Sequence, residues 1–205
     1  MKLYYSPGAC SIGIHVLLEE IGKPYDLELV SLREGAQYQP QFTGVNPKSK
    51  VPTLQRDDGS ILTEFPVIAR WLARQNPQAN LIPKDEEADT RAMEAMEYIV
   101  GTIHAQGFAR LFRTERFAPS QSDHEAVKAA GREAAEKGFA LIDKQLEGKQ
   151  YLAGEFSIAD AALFYVELWG SGRAGIPLPK NCAAHFDRMK SRPAVQRALQ
   201  QEGLN

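Results

Sequence analysis

Cysteine is scarce in this chain, which has 2 in 205 residues, Cys10 and Cys182. They stand far apart and no CxxC pair is present, which argues against a disulfide framework and against a thiolate metal site. The four histidines are also scattered and form no cluster with metal-ligand spacing. We therefore expect no metal site.

Long hydrophobic runs are also missing. No stretch approaches the roughly 18 apolar residues of a membrane-spanning helix, and the start, MKLYYSPG, lacks the apolar core of a secretory signal. The net charge of −2 argues against a nucleic acid or an anionic membrane as partner. With 43% hydrophobic and 24% charged residues, the composition is that of a globular protein, which we expect in the cytoplasm.

Hydrophobic periodicity in the first 75 residues predicts the element order β-α-β-β-β-α. Helical spacing covers Ser11–Ile21, Gly22 ends that helix, and the turn sequence DDGS at 57–60 marks a hairpin. The predicted strands are at 2–5, 25–29, 51–54 and 61–62, and the predicted helices are at 11–21 and 66–73. The thioredoxin-like fold is the commonest small fold with this order.

The sequence changes character after NPQANLIPK, a Pro- and Asn-rich linker at 76–84. Helical patterns follow at 85–117, 123–146, 156–169 and 183–201, the last interrupted at Pro193. Length alone allows one domain or two, and this change favours two. We predict a thioredoxin-like α/β domain at 1–78 and an all-α helical bundle domain at 86–205.

The motif SIAD at 157–160 predicts a helix start. Ser157 at the N-cap and Asp160 at N3 suit a capping box, with Asp in place of the usual Glu. The nearly continuous apolar run that follows places this helix in the core. We assign both residues a structural role.

Cys10 follows a Pro-Gly turn and stands where the first helix begins. A thiol at that place lies at the positive end of the helix dipole, which lowers its pKa and favours thiol chemistry. The alternative is a small buried hydrophobic residue, the commonest state of a free cysteine.

Two proline motifs leave alternatives open. Pro52, in Val51-Pro52, suits either the first residue of a strand or a cis-Pro that turns the Val51 backbone toward a peptide-like ligand. In LTEFP, Pro66 suits N1 of a helix, which makes Phe65 the N-cap, and Phe is a poor capping residue. Thr63 or Glu64 is the alternative N-cap. This helix start is therefore either mis-capped or an anion-binding site.

Four motifs, MKLYYSPGACS, NPKSKVPTL, LTE and FSIADAALF, together resemble those of cytosolic glutathione transferases. The cysteine at the first helix start makes the chain similar to the bacterial beta class, and the resemblance extends to the C-terminal EGL. It implies a detoxification enzyme that activates the glutathione thiolate for attack on small hydrophobic electrophiles, with thiol-reductase or peroxidase side activity. It also implies a homodimer, with glutathione as co-substrate and no prosthetic group.

The resemblance implies the glutathione-binding residues too. Cys10 matches the cysteine beside the glutathione sulfur, and Val51 matches the residue whose backbone pairs with the cysteinyl part, ahead of cis-Pro52. Glu64 matches the acid that holds the γ-glutamyl ammonium. Arg33 falls near a lysine that meets the glycine carboxylate, and Trp169 matches a tryptophan beside the acceptor-substrate pocket. The catalytic candidates that the resemblance implies are Cys10; His104, which reaches the site from the long helix as a proton donor; and Tyr5, the N-terminal tyrosine, which is usually not the main catalytic group in this class.

Phe108 and Phe112 follow His104 at i+4 and i+8, so the three share one helix face. That face is either core or a wall of the acceptor pocket.

The chain departs from the family at two positions near the glutamyl end of glutathione. Phe65 stands where the family has Ser or Gly, and Glu97 stands where it often has Asn. The competing hypothesis is a non-catalytic protein of the same fold that carries apolar ligands or acts as a regulator. The presence of Cys10, Pro52 and Glu64 favours the enzyme.

Overall fold

A computed structural model describes residues 1–204. The chain forms two compact units: unit 1 holds Met1–Ile82 together with the residues from Lys190 onward, and unit 2 holds Pro83–Met189. Among the described residues, no helix combines the length and the hydrophobicity needed to cross a bilayer.

Unit 1 is built on a four-stranded mixed sheet with the strand order β2-β1-β3-β4. The strands are β1 (Lys2–Tyr5), β2 (Asp26–Leu29), β3 (Thr53–Gln55) and β4 (Ile61–Thr63). In β1, Leu3 lies opposite Leu27 of the parallel strand β2 and opposite Leu54 of the antiparallel strand β3. The parallel pair requires a crossover connection, which the first helix supplies, and β3 and β4 form the predicted hairpin.

The helices confirm most of the predicted pattern. In chain order they are α1 (Ser11–Ile21), α2 (Pro40–Thr43), α3 (Phe65–Gln75), α4 (Glu86–Tyr98), α5 (Ala109–Phe112), α6 (His124–Gln145), α7 (Ile158–Leu168), α8 (Lys180–Ser191) and α9 (Pro193–Gln201). Gly22 ends α1 in the left-handed conformation, at φ 70°. Leu3, Leu17 and Ile68 have no exposed surface, which places the core of unit 1 between the sheet and its helices.

Unit 2 is all-helical, as predicted, but two of its segments are wider than α-helix. A π-helical segment at Ile99–Phe108 joins α4 to α5, and a second at Trp169–Arg173 follows α7. Such π segments occur frequently at functional sites. Each of these two carries residues that the sequence places in the site.

The predicted capping box at the start of α7 is confirmed. The backbone N–H of Ser157 donates to Asp160 Oδ2 at 2.8 Å, and Ser157 Oγ accepts from the N–H of Ala159 at 3.3 Å. Asp160 is fully buried and also accepts from the N–H of Leu152, at 2.9 Å. Its role is structural.

The C-terminal segment differs from the predicted domain division. The predicted helical domain runs from 86 to 205, whereas residues 190–204 pack within unit 1. The physical reason is an ionic contact of α9 and its start with α1: Arg192 Nε lies 2.7 Å from Glu20 Oε1. Nothing in the local sequence pattern records that pairing, 172 positions apart.

Candidate functional site

Cys10 is the N-cap of α1 and is partly exposed. Its thiol donates a hydrogen bond to the carbonyl oxygen of Val51, with an Sγ···O distance of 3.3 Å. The Val51–Pro52 peptide bond is cis. The thiol and the backbone of Val51 are therefore neighbours in unit 1.

Two side chains fix the loop that precedes α1. Ser11 Oγ accepts from the N–H of Ser6 at 3.2 Å, and Glu202 Oε2 accepts from the N–H of Gly8 at 2.9 Å. Glu202 is 5% exposed, and its other oxygen lies 2.9 Å from Nδ1 of the fully buried His15. The C-terminal segment of unit 1 thus holds the loop that leads to the thiol.

Tyr5 ends β1, and its ring centroid lies 6.1 Å from that of His15. Burial, with a further contribution from the negative charge of Glu202, raises the pKa of the Tyr5 phenol above its usual 10. The phenol is therefore protonated at neutral pH and is a hydrogen-bond donor rather than a base.

The start of α3 decides between the N-cap alternatives for LTEFP. Glu64, which was predicted beside Thr63 as the alternative to Phe65, is the N-cap, and its carbonyl accepts from the N–H of Ile68 at 3.0 Å. Glu64 has φ 71°, a left-handed value that is rare for a residue other than glycine and is common at functional sites. Its side chain makes no cap hydrogen bond. The carboxylate instead lies 2.7 Å from Lys48 Nζ, at the surface.

The remaining residues predicted for glutathione have different exposures. Phe65 is 4% exposed, so its ring packs in unit 1 rather than into an open pocket. Arg33 is exposed in the turn region after β2. Glu97 is exposed on α4 in unit 2. The roles of these three residues stay predictions.

The aromatic residues predicted for the acceptor pocket form one cluster in unit 2. The ring of His104 meets Trp169 edge to face, with centroids 4.8 Å apart, and His104 Nδ1 lies 3.2 Å from the hydroxyl of the buried Tyr165. Phe112, partly exposed, packs on Trp169 with centroids 5.8 Å apart. His104 and Phe112 are the predicted residues that retain accessible surface here.

Phe108 needs a correction within this cluster. It has no exposed surface and packs against Phe139 and Phe112, with centroids 6.1 and 5.6 Å away. Its ring therefore supports Phe112 from the core and does not line a pocket directly. Of the two alternatives for this helix face, the core position is the correct one for Phe108.

Sequence reasoning missed the residues that support the site from a distance. His15 was considered only as one of four scattered histidines. The contact between Glu202 and Gly8 was missed because the two residues stand 194 positions apart in the chain. The one available signal was the family-like C-terminal EGL, which contains Glu202. Among residues 1–204, no three His, Cys, Asp or Glu side chains come together as a metal ligand set.

The two cysteines should differ sharply in reactivity. Cys182 is fully buried, and burial raises the pKa of its thiol, whereas Cys10 is partly exposed at a helix start. We expect brief treatment with iodoacetamide to label Cys10 at least about tenfold faster than Cys182. Peptide mapping by mass spectrometry measures both, and faster labelling of Cys182 would contradict the placement of Cys10.

Comparison with known proteins matches both units to one family. The model of the glutathione S-transferase N-terminal domain matches residues 8–75, and that of the C-terminal domain matches residues 87–193. The chain is 36% identical over 208 residues to glutathione S-transferase GstA of Escherichia coli O157:H7, with 100% of each covered.

Solved structures agree with that match. A sphingomonad glutathione S-transferase complexed with glutathione is 35% identical, with a TM-score of 0.85 and 100% of each chain covered. A bacterial beta-class enzyme from Sphingomonas chungbukensis is also 35% identical over the whole of both chains, with a TM-score of 0.84. A glutathione transferase homologue from Sulfitobacter, with bound glutathione, is 30% identical, with a TM-score of 0.89 and 100% and 98% covered.

Proposed function

Because the chain belongs to the glutathione S-transferase family, we propose that unit 1 binds glutathione and that its thiolate attacks small hydrophobic electrophiles. The observation that carries this function is the 3.3 Å contact between Cys10 Sγ and the carbonyl oxygen of Val51. It sets a thiol at a helix start beside a backbone edge that is suited to pair with the cysteinyl part of the tripeptide.

The proposed chemistry has two parts, binding and activation. The Val51 backbone pairs with the cysteinyl residue, and the Glu64 carboxylate takes the γ-glutamyl ammonium in place of Lys48. The positive end of α1 stabilises the glutathione thiolate, and Tyr5 is available as a donor because its phenol is protonated. The thiolate then forms the bond to the electrophilic carbon.

Cys10 supports the side activity that the family implies. With a mixed disulfide of glutathione and another thiol as substrate, the Cys10 thiolate attacks the glutathione sulfur, forms a Cys10–glutathione disulfide and releases the other thiol as its thiolate. A glutathione thiolate then attacks the glutathione sulfur of the Cys10–glutathione disulfide, which releases glutathione disulfide and restores the Cys10 thiolate. Conjugation does not need this step, since glutathione brings its own sulfur.

Two further parts of the proposal rest on family likeness. The assembly is a two-fold homodimer, and His104, Phe112 and Trp169 contact the electrophile. The partly exposed rings of His104 and Phe112 support the second part, since they suit small apolar substrates. Trp169 is 6% exposed and packs against both rings. Exposed Val67, at 50% on α3, and exposed Leu141, at 49% on α6, support an apolar contact between subunits.

The substitution Glu64→Gln tests the binding mode. Removing the charge that pairs with the ligand ammonium should raise the glutathione dissociation constant at least about tenfold, or about 1.4 kcal/mol. Isothermal titration calorimetry measures the constant. A matched control is Glu28→Gln, because the Glu28 side chain is 52% exposed and that of Glu64 is 51% exposed.

The control should change the dissociation constant less than about twofold, since Glu28 pairs only with Lys2 at the surface. Equal glutathione dissociation constants for the parent protein and Glu64→Gln would show that Glu64 does not bind glutathione.

A further inference from the structure

The ring of Phe112 contacts the positively charged side chain of Arg173. The guanidinium carbon of Arg173 is 4.9 Å from the centroid of the Phe112 ring, within the range of a cation–π contact. Phe112 in turn packs on Phe108 and Trp169. The guanidinium group of Arg173 therefore lies at the accessible side of the aromatic cluster of unit 2.

The backbone around Arg173 is fixed on both sides. The N–H of Ala174 donates to the carbonyl of Trp169 at 2.9 Å, which closes the π-helical turn, and the carbonyl of Ala174 accepts from Arg132 at 2.7 Å. The turn that carries Arg173 thus begins at Trp169, a member of the cluster itself. This ties the position of the guanidinium to the aromatic rings.

Arg173 is exposed and makes no salt bridge with an acidic side chain among residues 1–204. Arg113, which is partly exposed and follows Phe112 directly in the chain, makes none among these residues either. Other arginines of unit 2 are paired: Arg91 lies 2.8 Å from Glu87, and Arg132 lies 3.4 Å from Glu136. An uncompensated guanidinium group against an aromatic ring suits a ligand that carries both a ring and an anion.

We infer that the enzyme prefers aromatic electrophiles that carry an anionic group such as a carboxylate, with Phe112 against the ring and Arg173 binding the anion. This inference rests on the proposed function, since it names the substrate class of that site. In the reaction with a chloronitrobenzoate, the glutathione thiolate forms the carbon–sulfur bond. Chloride leaves with its electron pair, and the thiol proton passes to solvent.

The test compares 4-chloro-3-nitrobenzoate with the uncharged 4-chloro-3-nitrobenzamide. For Arg173→Gln, kcat/KM for the benzoate should fall about tenfold, mostly through KM, because the lost contact is a charge-assisted hydrogen bond. For the benzamide it should change less than about twofold. Each variant is compared with the parent protein on the same electrophile, so the intrinsic reactivities of the two compounds cancel.

Two further variants complete the test. Arg173→Lys keeps the charge and should retain most of the benzoate activity. Arg91→Gln removes the same charge on α4, where Arg91 pairs with Glu87, and should leave kcat/KM unchanged for both electrophiles. Equal losses on both electrophiles, or no loss on either, for Arg173→Gln would overturn the inference.

The outcomes also separate this inference from the proposed function. Turnover of the benzamide without any effect of Arg173→Gln on the benzoate ends only the inference. Absence of turnover with both compounds and with a generic aryl halide ends the proposed function, and the inference with it.

Discussion

Asp160→Ala should lower the free energy of unfolding by about 3–5 kcal/mol and the melting temperature by about 10 °C. The Asp160 carboxylate is fully buried and accepts from the backbone N–H of Ser157 and of Leu152, at 2.8 and 2.9 Å. Alanine leaves both donors buried without a partner, at about 1–3 kcal/mol each. The expected loss therefore exceeds that of a simple capping box, about 1 kcal/mol.

A buried ionic contact adds to this loss. His185 Nε2 lies 3.3 Å from Asp160, and its Nδ1 lies 2.8 Å from Glu167. Burial opposes the charge on His185, but the two carboxylates raise its pKa to about 9, and burial raises the pKa of Glu167 to about 7. Removing Asp160 takes away one of the two carboxyl groups that contact the buried ring of His185.

Thermal unfolding of the parent protein and the variants measures the effect. Asp160→Asn keeps one acceptor oxygen and should lose less than Asp160→Ala. The exposed Glu133, paired with Lys137 on α6, supplies the control Glu133→Ala, with an expected loss below about 1 kcal/mol. A melting temperature of Asp160→Ala equal to that of the control would contradict the structural role of Asp160.

Glu202→Gln should destabilise unit 1 and loosen the loop before Cys10. The two Glu202 oxygens face the N–H of Gly8 and Nδ1 of His15, both at 2.9 Å. A carboxylate only accepts, so the hydrogen bond from His15 requires an N–H on Nδ1, and two donors face Glu202. An amide has a single acceptor oxygen for these two donors, so one of the contacts is lost in a buried place. We expect about 2 kcal/mol lower stability and about tenfold lower kcat/KM for conjugation.

The alkylation rate of Cys10 separates positioning from stability alone. If Glu202 positions the loop, iodoacetamide should label Cys10 several times faster in Glu202→Gln than in the parent protein, at a temperature where both are folded. Glu34→Gln, an exposed change in the same unit, should leave the rate unchanged. An unaltered Cys10 rate together with unaltered kcat/KM in Glu202→Gln would show that Glu202 does not position the loop.

The sequence was sufficient where local patterns determine local structure. The bounds of β1 and α1 follow from the apolar spacing and from Gly22, and the capping box follows from Ser157 and Asp160. The hairpin follows from its turn residues. In each case the interacting groups lie within a few positions of one another.

Distant and non-repeating interactions were not predictable in this way. Glu202 reaches Gly8 across 194 positions, and no period in the sequence marks that contact. The sequence of the π-helical segment at Ile99–Phe108 could equally form an α-helix. The two kinds of helix differ in the number of residues per turn, and the amino-acid composition does not show that difference. The positive φ of 71° at Glu64 was not predictable either, because such a value is rare for a residue other than glycine.

The most direct test of the glutathione transferase assignment is equilibrium binding of glutathione to the unmutated protein, followed by product analysis with an aryl halide. The predicted result is saturable binding with a dissociation constant of about 1 mM or tighter, and a glutathione thioether as product. Absence of saturation at about 10 mM glutathione, with no thioether formed, would contradict the assignment and favour a non-catalytic carrier of the same fold.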